Sequence, residues 1–101
     1  MKSSLRLRLK PDARADFLDI GRFTIRHWIA LQRDRYSRQV RQALQSLLDF
    51  PERGPARDEY FSGCRTLVVG QHVVFYYVTD VEVIVVRILH ASRDASNLVV
   101  P

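Results

Sequence analysis

Three histidines, one cysteine and a cluster of late arginines are the residues of this 101-residue chain whose chemistry invites a functional reading. His27, His72 and His90 lie far apart in sequence, on elements expected to differ in orientation. A metal centre needs three or four converging ligands, each oriented by an outer partner, so no metal site is expected from them. The chain carries no P-loop, no H-E-x-x-H, no paired-cysteine spacing and no G-x-S-x-G. Cys64 is the single cysteine, which excludes an internal disulfide and suits a reducing compartment. Without a base beside it a thiol is a small apolar side chain, so Cys64 is expected to be buried and inert. Arg87, His90 and Arg93 remain, near the end of the last apolar run. Cations there suit contact with an acidic partner.

The elements that must position these residues are legible from periodicity. Three segments, Thr66–Val69, His72–Val78 and Val83–Leu89, are rich in Val, Ile, Phe and Tyr and read as strands. Gly70-Gln71 between the first two fits a two-residue hairpin turn, with glycine where φ must be positive. Leu5 to Lys10 alternates leucine with a basic residue, the pattern of a half-buried strand whose charges discourage edge pairing at a sheet border. Pro11-Asp12 opens a helix, with the carboxylate at the positive end of the dipole. Phe17, Ile20, Thr24, Trp28 and Leu31 form its expected buried stripe, widened by Leu18, Ile25 and Ile29, and its end is expected near Gln32 to Asp34. A second helix runs from about Arg35 to Asp49, burying Tyr36, Val40, Ala43, Leu44 and Leu47 before Pro51 stops it. Residues 51–63 read as an ordered polar loop, and the tail after Asp94 either caps the sheet or stays mobile. The fold class is α+β: an N-terminal β-strand, an α-helical hairpin, then a three-stranded antiparallel meander, in one domain over residues 1–101.

Strand parity sharpens this. With Gly70-Gln71 as the turn, Val69 pairs with His72, Val68 with Val73 and Thr66 with Phe75. One face then carries Leu67, Val74, Tyr76 and Val78, and the other Val68, Val73, Phe75 and Tyr77. In the last strand Ile84, Val86 and Ile88 form an apolar row, while Arg87 shares a face with Val83, Val85 and Leu89. A guanidinium under the helices would need a partner, so the Ile84 row is expected to meet them and Arg87 to lie opposite. That parity requires an odd-length loop around Asp80-Val81-Glu82. Two helices cover one face of a sheet, leaving Val73, Phe75, Tyr77, Val85 and Leu89 on a face that a partner, or a terminal segment, must bury.

The composition bounds the partner. A hydrophobic share of 47% and a charged share of 27% are those of a globular domain. A net charge of +5 favours an acidic protein segment or a nucleic acid. The basic, alternating N-terminus has no leader-like apolar stretch and no run reaches membrane-spanning length, so a cytoplasmic location without membrane contact is expected.

The order Gly70-Gln71-His72-Val73-Val74-Phe75-Tyr76, followed by Val86-Arg87-Ile88-Leu89-His90, resembles the C-terminal half of ParE toxins, in the wider RelE/ParE group of bacterial toxin–antitoxin proteins. The resemblance extends more weakly through both helices. It implies a toxin that binds and poisons DNA gyrase, without a cofactor, and that a ParD-like antitoxin neutralises by wrapping it. DNA would be met only through the antitoxin or gyrase. The antitoxin is expected on Val73, Phe75, Tyr77, Val85, Arg87 and Leu89, with Arg87 pairing a partner carboxylate, and the target on His90 and Arg93. The RelE branch, which cleaves messenger RNA on the ribosome, is the alternative. Its third strand carries an arginine directly after the opening His or Tyr, where this chain has Val73, and a valine cannot neutralise a phosphate. His90 is followed by Ala91 and Ser92, so the terminal cluster is incomplete as well, and no catalytic residue is assigned. A non-enzymatic nucleic-acid-binding module accounts for the charge but not for the apolar face.

Overall fold

The computed structural model describes residues 5–27, 30–92 and 95. The elements run β1 (Arg6–Leu9), α1 (Pro11–His27), α2 (Ala30–Asp49), β2 (Arg65–Val69), β3 (His72–Val78) and β4 (Glu82–His90). The sheet order is β1-β4-β3-β2, with β1 parallel to β4 and the meander antiparallel. This is the expected α+β class, and β1 lies at a sheet border with Arg6 and Arg8 exposed and Leu7 and Leu9 turned inward.

Both helices lie on one face of the sheet. Ala13 and Ile20 of α1 and Tyr36, Val40, Leu44 and Leu47 of α2 share one core with Leu67, Val69, Val74, Tyr76, Val83, Val85 and Ile88. Full burial of Val40 and Leu47 contributes about 1.5–3 kcal/mol each, more than helix propensity differences across the same positions. Phe17 packs beside this core, and the Arg41 guanidinium lies 5.7 Å from its ring centre, tying α2 to α1. Two expected members of the first stripe are on the surface: Leu18 is 57% exposed and Leu31 is 55% exposed. Leu31 belongs to α2, which starts at Ala30, five residues earlier than its periodicity suggested. Trp28 and Ile29 lie outside the described residues.

The hairpin turn is built as expected. Gly70 has φ of +57°, and a Cβ there would meet the Tyr36 ring at 2.5 Å, so glycine is required twice over. The β3–β4 connection departs from expectation. Thr79 N–H donates to the Glu82 carbonyl at 2.8 Å, closing a tight turn over Asp80-Val81. The one-residue offset sits in the strand instead. Phe75 faces Arg87 but Tyr76 faces Val85, leaving Val86 as the extra residue of a β-bulge. On the turn side of the bulge Val83 and Val85 face the helices; beyond it Ile88 does. Val86 and Leu89 belong to the second cluster, on the opposite face. The expected Ile84–Val86–Ile88 row is thus split, and Val85 is fully buried under the helices.

Arg87 is paired within the chain instead of lying free opposite the helices. Its guanidinium is gripped along one edge by Asp16 of α1, with Nε to Oδ2 at 2.6 Å and Nη2 to Oδ1 at 2.8 Å. β1 ends at Leu9, whose partner is Val85, so beyond that point the outer edge of β4 has no strand beside it. Asp16 fills the gap by accepting the Ile88 N–H at 2.9 Å. Arg87 therefore has an internal carboxylate, and this charge-assisted bond further raises its already high pKa.

Candidate functional site

The second face of the sheet is only partly open, because the loop between α2 and β2 folds across it. Ser46 and Phe50 close the end of α2, and Arg53 donates to the Ser46 hydroxyl at 2.6 Å. The chain then passes so close to β2 that a Cβ on Gly54 would overlap the Thr66 carbonyl. The Tyr76 hydroxyl clips it there, donating to the Pro51 carbonyl at 2.7 Å and accepting the Gly54 N–H at 2.9 Å. Arg65 reaches the Gly54 carbonyl at 2.8 Å. Residues 55–57 run along the outer edge of β2, with Thr66 N–H to the Pro55 carbonyl at 3.1 Å and Arg57 N–H to the Cys64 carbonyl at 2.8 Å. This covers a bare sheet edge that would otherwise invite pairing.

Two aromatic residues in this loop reach the sheet. Tyr60 meets Phe75 edge-on at 5.2 Å and Phe61 meets Tyr77 edge-on at 6.1 Å. Phe61, Cys64, Phe75, Val86 and Leu89 form a small second core, with Val73, Tyr77 and Ala95 beside it. The Cys64 thiol is pushed up to about 11 by burial first, then by Asp58 and Glu59. With so little thiolate near neutrality, Cys64 is expected to resist thiol-specific reagents in the folded chain and to react fully once unfolded. Rapid native labelling in a thiol-release assay would contradict that.

What stays open is a groove of about 460 Å³ between this loop and the end of β4. Val68, Val73, Phe75 and Leu89 line its apolar part. Arg57 and Tyr60 stand on one side, His90 and Ala91 on the other. Val68 is 69% exposed, the most exposed large apolar side chain of the sheet. Of the expected partner surface, Val73, Phe75 and Leu89 come together in the groove. Tyr77 is half-buried against Phe61, while Val85 and Arg87 are engaged elsewhere. Arg57, Tyr60, Thr66 and Val68 line the groove without having been singled out, although two adjacent aromatics in an otherwise polar loop were a signal. Of the expected target residues, His90 sits at the groove rim, and Arg93 lies outside the described residues.

At the same end of the sheet the histidines meet. His72 and His90 are cross-strand partners with ring centres 5.5 Å apart and nearly perpendicular planes. His72 is buried, with Nδ1 2.6 Å from the Tyr36 hydroxyl. Burial, then the neighbouring His90, lowers the His72 pKa, while Asp16 acts weakly in the opposite sense. Among the described residues, no three His, Cys, Asp or Glu side chains are placed to hold a metal ion. Among them also, no helix is long and apolar enough to cross a membrane.

Residues 7–95 match the family described as ParE toxin of type II toxin-antitoxin system, parDE. The chain belongs to this family. Its relatives include two proteins named Toxin ParE1. The one from Caulobacter vibrioides is 33% identical over 88 residues, spanning 87% of this chain and 91% of the relative. The one from Mycobacterium tuberculosis is 37% identical over 95 residues, spanning 93% and 97%. A solved structure of the chromosomal ParDE TA system from P. aeruginosa superposes with a TM-score of 0.75 over 86% of this chain and 96% of the other, at 18% identity. That last likeness carries the ParE fold. Together with the family match, the relatives make this ParE chain a toxin of the type II toxin–antitoxin class.

Proposed function

We propose that this ParE toxin acts in the cytoplasm, as one domain over residues 1–101, by binding DNA gyrase and poisoning it on DNA. In the resting cell a ParD-like antitoxin would neutralise it by laying an acidic, partly apolar segment over the groove. The observation that carries this reading is the apolar groove on the second sheet face. Exposed Val68 and half-buried Val73 offer anchoring surface over a floor of buried Phe75 and Leu89, while Arg57 and the +5 charge of the chain favour an acidic segment. Val73 lies in the groove where the RNA-cleaving branch carries an arginine, so the cation that branch would set against a developing phosphorane at this position is missing. The protein is accordingly read as a non-enzymatic poison with no cofactor, meeting DNA only through gyrase or the antitoxin.

The test is a paired assay on one purified sample, with gyrase cleavage-complex trapping beside ribosome-dependent messenger cleavage. Gyrase-linked DNA breaks with intact messenger are expected. Messenger cut sites with untouched gyrase would overturn the assignment and make Arg57, Tyr60 and His90 catalytic candidates. Co-expression with the product of an adjacent small acidic reading frame tests the second half, and co-purification as a stable complex is expected.

A further inference from the structure

We propose that Tyr36, His72 and His90 form a proton-sensitive latch that holds the β2–β3 turn and the end of β4, and with them the groove rim, in this shape while the buried His72 imidazole is neutral. The Tyr36 hydroxyl is the hub. It accepts the Gln71 N–H at 3.1 Å, lies 3.1 Å from the Val69 carbonyl and 2.6 Å from His72 Nδ1. One phenol thus binds both strands of the hairpin and its turn. The Ala91 N–H donates back to the Gln71 carbonyl at 2.8 Å, joining the end of β4 to the same turn. His90 closes the other side. Its Nδ1 accepts the Ser92 N–H at 3.2 Å and lies 2.8 Å from the Ser92 hydroxyl. His90 thereby ties the residues just after β4 back to the strand end that faces His72.

A proton added to His72 disturbs this arrangement. It would place a charge on a buried ring with a second imidazole edge-on at 5.5 Å. The surrounding charges do not rescue it. From α1, Asp16 and Asp19 line the neighbouring cleft, but both Asp16 oxygens are engaged by Arg87 and the Ile88 N–H. From α2 the facing group is the neutral Tyr36 phenol, whose pKa burial raises. From β4 come His90 and the Arg87 guanidinium. Because burial and His90 lower the His72 pKa in the fold, the unfolded chain takes up the proton first as pH falls. The stability that the latch supplies is therefore complete above the ordinary imidazole value of about 6.5 and is lost as pH drops through it toward the folded value.

His90 belongs both to this cluster and to the groove rim, so acidification would loosen the rim where the proposed antitoxin segment lies. That consequence rests on the groove reading; the latch does not, and its test needs no partner. The experiment follows the imidazole signals by NMR, the exchange of the Ala91 and Ser92 amides, and the thermal midpoint of the full chain from pH 7.5 to 5.0. His72→Gln and His90→Gln serve as comparisons. His72 is expected to titrate below the ordinary imidazole value, and the protection factors of the two amides, taken against intrinsic exchange at each pH, to fall at least tenfold through the same midpoint. The fall in thermal midpoint on acidification should shrink in His72→Gln. Should that variant not fold, the wild-type titration and amide exchange decide alone. A His72 titrating at or above the ordinary value, unchanged amide protection, or an equal acid loss in His72→Gln would overturn the latch.

Discussion

Asp16→Ala is expected to lower the unfolding free energy by about 3 kcal/mol, the largest effect of any single polar substitution among the described residues. Three contacts vanish together: two charged bonds to Arg87 and the acceptor for the Ile88 N–H. What remains is a guanidinium whose side chain is only 26% exposed and an edge N–H with no strand beside it. For a domain of this size, that loss lowers the thermal midpoint by roughly 15 °C. Arg87→Ala should cost less, because Asp16 still accepts the Ile88 N–H, and the double variant should cost less than the two singles combined. Denaturant titration of the four proteins measures this. A loss below about 1 kcal/mol for Asp16→Ala would show that the pair is too hydrated to matter. The same cycle bears on Arg87 as a partner contact: weakened antitoxin binding without lost stability would return it to the interface.

Val68→Asp should do the opposite, leaving the fold intact and weakening the antitoxin complex by about a hundredfold. Val68 is 69% exposed, so the free chain loses little when it changes. In the complex this side chain would be among the groove's apolar anchors, and truncated or charged hot spots cost about 2–4 kcal/mol. A carboxylate here would also face an acidic segment at close range. Leu18→Asp is the control, a comparably exposed leucine on α1 away from the groove, for which unchanged affinity is expected. Equal affinities for wild type and Val68→Asp in calorimetry would place the antitoxin elsewhere. Loss with both variants would point to general destabilisation.

The legible parts of this fold were the local ones. Gly70-Gln71 announced its turn through backbone freedom, and from that turn the Val69–His72, Val68–Val73 and Thr66–Phe75 pairs followed. The stripe Tyr36, Val40, Leu44 and Leu47 was equally plain, since one face of α2 is apolar and the other charged. Non-local features were not. Nothing near Arg87 in sequence announces Asp16, which stands 71 residues earlier. A guanidinium so little exposed does need a partner, and α1 supplies it. Residues 51–63 read as polar on average, which hid Tyr60 and Phe61, and with them the half-closed groove. Parity puts Val68 on the correct face, but its exposure in the groove depends on how far the loop reaches.

The bulge at Val86 changes the phase of β4 partway along its length. A strand in strict alternation must give one face a single character from end to end. Here one half-strand supplies Val83 and Val85 to the helices, and the other brings Leu89 and His90 to the groove while Arg87 meets α1. Removing Val86 would merge the halves into one register and rotate everything on one side of the deletion by half a turn. Either the helices would lose their valines, or the groove would lose its far wall. Length at this position is therefore constrained more tightly than identity: a different apolar residue can replace the valine, but a gap cannot. One supernumerary residue lets a nine-residue strand serve two surfaces with different requirements.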